Sequence, residues 1–402
     1  MTIMTNVNDA SAGATNGATP PTILPKDPRF SSGPTKKRPG WTAAALATEC
    51  LGRSHRSKIG KSRLGLAIDL TREVLQVPAD YRIGIMPASD TGAVEAALWS
   101  LLGPKPVCVV AWESFGEEWV TDTVKQLKLD PMVIKAGYGD IPDLSQVPTQ
   151  THDVVFTWNG TTSGVRVPNA DWISDNREGL TICDATSAAF AQDLDWGKLD
   201  VTTLSWQKAL GSEGGHGILI LSPRAVERLE TYTPAWPLPK IFRLTSKGKL
   251  IEGIFKGETI NTPSMLAVED YIDALLWAKS VGGKDGLIAR ADANLAAIEN
   301  WIAKTDWVAN LSARDDTKSN TSVCIKVIDP RVTALDAESQ EAFAKNLAGT
   351  LEKAGAALDV GGYRAAPPGL RIWCGATVET SDVAALLPWL DWAFAAEIAK
   401  LV

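Results

Sequence analysis

The spacing of apolar and polar positions changes several times along this chain, and each change marks an element. From about Arg82 onward, short apolar runs recur: RIGIMP (82–87), PVCVVAW (106–112), PMVIKA (131–136), HDVVFTW (152–158), GLTICDA (179–185), VTTLSW (201–206) and GILILS (217–222). Several are continuous rather than alternating, the pattern of strands covered on both faces. Helical spacing lies between them, in TGAVEAALWSLL (91–102) and GEEWVTDTVKQLKL (116–129). Alternating strands and helices predict an α/β fold with a mostly parallel sheet flanked by helices.

A second pattern begins near Pro263. Helical runs over 264–283 and 286–304 are followed by a strand (SVCIKVID, 322–329), a helix (339–356), a strand (GLRIWCGA, 369–376) and a closing amphipathic helix. That order predicts a smaller α+β unit. Residues 1–28 are rich in Ala, Thr, Asn, Gly and Pro without apolar periodicity, the composition of a mobile tail. The expected organisation is a tail at 1–28, a large domain at 29–283 and a small C-terminal domain at 284–402, with no internal repeat.

Composition narrows the functional classes. At 402 residues the chain is long enough for two cores. A net charge of -7 argues against a general nucleic-acid or anionic-membrane binder. Without an apolar run of spanning length or a signal-like N-terminus, a cytoplasmic location is the default expectation. The five cysteines are scattered without CxxC spacing, and the three histidines do not cluster with them, so no metal site is expected.

The candidate chemistry centres on SWQKALGSEGGHGILIL (205–221), where one lysine stands between a strand and a glycine-rich run. A buried ammonium is costly unless something uses it. Asp184, in ICDATSAAF, also ends a predicted strand, and ligands of parallel sheets bind outside the carboxyl ends of strands. Lys208 and Asp184 so placed suit a pyridoxal phosphate site, the lysine on the aldehyde carbon and the carboxylate on the pyridine nitrogen. A structural ion pair fits the same spacing. PASDTG opens a helix after RIGIM, where backbone amides could cradle a phosphate or simply be capped. Phe115 could stack on a flat ring, Asn159 and Thr161 follow a strand end, and Arg56, Arg364 and Arg371 could clamp anions.

Taken together, SHR (54–56), NGTTSG (159–164), CDATS (183–187), SWQKALGSEGG (205–215), NTPS (261–264) and YRAAPPGLRIW (363–373) resemble the phosphoserine aminotransferase family, within the class V pyridoxal-phosphate aminotransferases. The resemblance runs from FSSGPTKKRPGW (30–41) nearly to the C-terminus. It implies a fold-type I aminotransferase with Lys208 as the Schiff-base lysine and Asp184 as the partner of the pyridine nitrogen. Gln207, Asp90 and Thr91 would lie at the cofactor phosphate, Phe115 over the ring, and Thr161 beside its phenolic oxygen. Asn261 and Thr262 would reach the cofactor phosphate of the other subunit of a homodimer. His55, Arg56 and Arg364 would hold the substrate phosphate side, and Arg371 its α-carboxylate.

Three positions depart from the common family pattern: PASDTG replaces a glycine-rich turn, Phe115 a tryptophan, and Tyr363-Arg364 a His-Arg pair. The implied reaction is amino transfer between O-phospho-L-serine and 2-oxoglutarate, giving 3-phosphohydroxypyruvate and L-glutamate, in L-serine biosynthesis. Phosphorylated 4-hydroxythreonine, in pyridoxine biosynthesis, is a second expected substrate. Two alternatives stand beside this reading: a class V enzyme for an unphosphorylated amino acid, of the serine–glyoxylate or desulfurase type, and a non-catalytic scaffold retaining the fold.

Overall fold

The protein is described by a computed structural model over residues 19–401. Seven strands, β1 (Arg82–Pro87), β2 (Val107–Ala111), β3 (Met132–Lys135), β4 (Asp153–Thr157), β5 (Thr181–Asp184), β6 (Val201–Ser205) and β7 (His216–Leu221), form one sheet. Their order is β1-β7-β6-β5-β4-β2-β3. The five strands from β6 to β3 run parallel, and β7 runs antiparallel to both β1 and β6.

Helices cover both faces of this sheet, as the continuous apolar runs require. α1 (Lys58–Leu75) and α5 (Met265–Ser280) lie on the face carrying Cys108, Val110, Phe156, Cys183 and Leu204. α2 (Ser89–Leu101) and α4 (Pro223–Thr231) lie on the other, against Val109, Val155, Ile182, Val201 and Leu219. The sequence pattern does not single out α1 or α4. Both carry local start signals, Ser57 and Ser222, whose side chains accept from Gly60 N and Ala225 N. The expected helix over 116–129 begins as α3 (Ser114–Thr121) and continues into a π-helical turn, Asp122–Gln126.

The C-terminal unit is an antiparallel sheet of β8 (Val308–Asn310), β9 (Ser322–Val327) and β10 (Gly369–Trp373), with α7 (Ala337–Lys353) and α8 (Thr380–Ile398) packed on it. α6 (Gly283–Ile302) belongs to both cores: Leu287 and Ala291 pack in the large one, Ile298 in the small one. The division expected after residue 283 therefore falls at the first residues of a shared helix.

The N-terminal segment also serves the small unit. Of the segment expected as a tail, residues 1–18 lie outside the described residues. The rest runs along α8, where Trp389 Nε1 donates to Ile23 O (2.7 Å) and Lys26 N donates to Asp382 Oδ1 (2.8 Å). Phe30 then enters the small core, fully buried, and its carbonyl accepts from Trp373 N at 3.1 Å. Two residues later Ser32 accepts from Lys208 of the large unit, so Phe30 pins the segment that crosses between the two. Truncating it removes a whole ring from a closed core, and Phe30→Ala should cost roughly 3–5 kcal/mol. Denaturant unfolding followed by tryptophan fluorescence measures this; an unchanged midpoint contradicts the assignment.

Candidate active site

Alternation along three neighbouring strands builds the floor of the site. Side chains two residues apart share a face of the sheet. On the α2 side, Val155 is followed by Thr157, Ile182 by Asp184, and Val201 by Thr203 and Ser205. The apolar face thus becomes polar at the carboxyl ends. Register sets Thr157 opposite Asp184 and Asp184 opposite Thr203. The hydroxyls of Thr157, Thr203, Ser205 and, just after β5, Thr186 are buried without a hydrogen-bond partner. Buried polar groups are normally satisfied, so four unsatisfied hydroxyls at one edge fit a polar ligand held above them.

Lys208 enters over this floor from the loop after β6. Trp206 anchors that loop between His216 (ring centroids 4.8 Å) and Tyr271 (4.4 Å), nearly parallel to both. The N-terminal segment clamps it from above: Thr35 N donates to Gln207 O (2.9 Å), and Lys208 Nζ donates to Ser32 O (2.5 Å). A Cβ at Gly33 would lie 2.6 Å from Lys208 Nζ, so only glycine leaves room for the amine there. Burial, reinforced by the Arg371 charge, depresses the Lys208 ammonium to about 8, although Asp184, Glu113 and Asp90 pull the other way. A neutral amine is therefore accessible at physiological pH.

Asp184 is held as an acceptor. Trp119 Nε1 donates to its Oδ2 (3.1 Å) and Thr186 N to its Oδ1 (3.0 Å). Between Lys208 and Asp184 opens a cavity of about 400 Å³, lined also by Ser89, Asp90, Thr91, Phe115, Thr161 and Gln207. The turn into α2 passes through two left-handed residues, Ala88 and Ser89 (φ 64° and 59°). It brings the first amides of α2 to the cavity rim, where an anion is favoured. Gln207 Nε2 donates to Ser89 Oγ (2.9 Å), tying that rim to the Lys208 loop. Thr161 Oγ1 donates to Ser187 Oγ (2.8 Å). The amine, the carboxylate and the helix start fit the aldehyde, ring nitrogen and phosphate of pyridoxal phosphate respectively.

Two expected arginines lie near the cavity without lining it: Arg364 borders a neighbouring hollow with Glu113 and Tyr138, and Arg371 a small one with Cys324. Tyr363, 5.9 Å from Phe115 between ring centroids, lies under the guanidinium of Arg371 (5.6 Å) and that of Arg364 (5.8 Å). Arg371 Nε is buried without a partner, which suits an incoming carboxylate.

The other expected residues lie elsewhere. His55, Arg56, Asn261 and Thr262 do not line the Lys208 cavity. Arg56 lines a separate hollow with Lys240 and Arg243. Asn261 and Thr262 are exposed just before α5. Sequence reasoning missed Trp119, Ser32, Gly33, Thr186 and Thr203. Strand alternation could have revealed Thr203, two residues before Ser205. Trp119 and Ser32 arrive from a helix and a distant segment, with no local signal.

No protein-family model matches the chain. Among curated proteins, it is 57% identical over 375 residues to a phosphoserine aminotransferase of Methanosarcina mazei, covering 93% of this chain and 98% of that one. A second, from Methanosarcina barkeri, is 56% identical with the same coverage. Among solved structures, a phosphoserine aminotransferase from Cytophaga hutchinsonii superposes with a TM-score of 0.76 at 20% identity, over 92% of this chain and 99% of that one. The last likeness concerns the fold alone.

The buried amine has a measurable consequence. Labelling of the cofactor-free protein at Lys208 by an amine-reactive probe requires the neutral amine, so it should rise with pH through a midpoint near 8. A midpoint at the ordinary lysine value of about 10.4 contradicts the burial of this group.

Proposed function

Since the chain belongs to the phosphoserine aminotransferase family, we propose that it moves the amino group of O-phospho-L-serine to 2-oxoglutarate on a pyridoxal phosphate held in the Lys208 cavity. The observation that carries the reading is Lys208 and Asp184 facing one cavity at the carboxyl edge of the sheet, beside the start of α2. Pyridoxal phosphate supplies a carbonyl for the substrate amine and a ring that accepts the electron pair left at the substrate Cα.

The chain's own residues do the rest. The first amides of α2 and the Ser89 and Thr91 hydroxyls bind the phosphate, with Gln207 fixed beside them by Ser89. Phe115 covers the ring. Asp184, oriented by the Trp119 and Thr186 N–H groups, holds a proton on the ring nitrogen. Lys208 Nζ leaves Ser32 O, takes the proton from the substrate Cα as general base and delivers it as general acid to the carbon that carried the cofactor aldehyde. Its depressed ammonium suits both duties. Arg371 takes the α-carboxylate and Arg364 the substrate phosphate, both guanidiniums lying over the Tyr363 ring. The fold also argues against the desulfurase alternative. Cys324 and Cys374 are buried, and burial pushes the Cys324 thiol up to about 12, far from a reactive thiolate.

Completion of the site by a second subunit belongs to the same proposal. Asn261, Thr262, His55 and Arg56 lie away from their own cavity, which supports their serving a partner's phosphate and substrate in a homodimer. Activity toward phosphorylated 4-hydroxythreonine and a place in the cytoplasm are part of this reading. No helix among the described residues is long and apolar enough to cross a membrane.

Adding phosphoserine to the loaded enzyme should shift its visible absorbance, whereas serine and alanine at equal concentration should act far more weakly. Equal response to phosphoserine and serine contradicts the phosphate clamp. Lys208→Ala should abolish that response, and a retained one rules out the site. Mixed with an Asn261→Ala/Thr262→Ala variant, Lys208→Ala should regain about a quarter of wild-type activity, because half the dimers are hybrids with one intact site. No recovery from two folded variants that exchange subunits contradicts sharing across the interface.

A further inference from the structure

The cavity holds a second carboxyl group that the reaction as described does not use. Asp90, in the first turn of α2, is buried. It lines the same cavity as Asp184 and Thr186, close to the Asp184 carboxylate and to the Thr186 and Thr203 hydroxyls. That placement follows from the fold. α2 crosses the sheet face carrying Val201 and Thr203, and Thr203 stands in register with Asp184 on the next strand.

Two facing carboxylates in a dry site cannot both be ionised, and the proton goes to the one whose charge is less well supported. Asp184 has two N–H donors, from Trp119 and Thr186. Asp90 has no N–H donor: its enclosed Oδ1 makes no hydrogen bond, and only the Thr186 and Thr203 hydroxyls lie within reach of the carboxyl. The nearby cation, Lys208, answers to Asp184 and Glu113 as well as to Asp90. The other titratable group close to Asp90 is the buried thiol of Cys183, which is neutral.

From this arrangement we infer that Asp90 is a positioning residue: a neutral carboxylic acid that donates a hydrogen bond to Asp184 and leaves the negative charge of the pair there. The inference rests on the reading of Asp184 as the partner of the ring nitrogen. Burial, and then the Asp184 charge, hold the Asp90 carboxyl well above the usual carboxylate range, in the same sense. The hydrogen bond serves both ends of the cavity. At the ring, it lowers the basicity of Asp184, so the shared proton stays on the ring nitrogen. At the phosphate, it removes a like charge from the helix start that must receive a dianion. An ionised aspartate in the first turn would favour the helix dipole yet repel the ligand. A protonated one leaves the amides free.

The direct test is isotope-edited infrared spectroscopy of the cofactor-free protein carrying carboxyl-labelled aspartate. A carbonyl band of a neutral acid should persist at neutral pH and vanish in Asp90→Asn. Absence of that band, or its survival in the variant, overturns the proposal without touching the role of Lys208. A pair of variants then separates position from mere packing. Asp90→Asn keeps the shape and a neutral donor, so the pH profile of bound-cofactor absorbance should stay as in the wild type. Asp90→Ala loses the donor, so cofactor affinity should fall about tenfold or more and the profile should move. Wild-type affinity and profile in Asp90→Ala, or a displaced profile in Asp90→Asn, contradict the hydrogen bond. The family reading fails separately, if Lys208→Ala retains the absorbance response to phosphoserine.

Discussion

The burial of one amine governs the arrangement around it. Lys208 is only 9% exposed, and its carrier loop is held by a three-ring stack below and the N-terminal segment above. An ammonium in such a place is expensive, and the cost lowers its proton affinity until a neutral nucleophile and base exists near physiological pH. The surrounding carboxyls limit the fall, and Arg371 adds to it. Reactivity and burial are thus one physical fact. The clamp by Ser32 also means that the amine must leave a carbonyl before it can act, so the segment carrying Phe30 is mechanically tied to the site.

That tie links two cores that would otherwise look independent. The chain begins its described course along α8, places Phe30 among the small unit's side chains, and within a few residues closes over Lys208. α6 spans the same division, with Leu287 and Ala291 in one core and Ile298 in the other. Arg371, on β10 of the small unit, contributes its charge to the large unit's lysine. A movement of one unit against the other would change Lys208, Arg371 and Tyr363 together, which is how substrate binding at the mouth can be felt at the amine.

Much of this was legible in the chain. Apolar runs marked all seven strands of the large sheet, and several are continuous because strands buried on both faces need no alternation; β3, at the sheet edge, is only partly covered. Lys208 and Asp184 were legible because charged residues at apolar strand ends violate ordinary burial statistics. α1 was not, since Gly60 and Gly65 and its scattered basic residues blur the helical stripe; it forms because Leu64, Ala67, Ile68 and Leu75 find α5 and the sheet. The division after residue 283 was drawn where the pattern changed, yet a helix can share its faces between two cores without any break in its sequence. Asp90 was the most misleading residue. Read locally it is an ordinary helix-start acid that would repel a phosphate, and only the neighbouring strand ends show that it faces another carboxyl.

The most direct test of the central claim is to load the protein with pyridoxal phosphate, reduce it with borohydride and map the modified peptide by mass spectrometry. The account predicts one cofactor adduct per chain, on Lys208. An adduct on another lysine, or none despite bound cofactor, contradicts it.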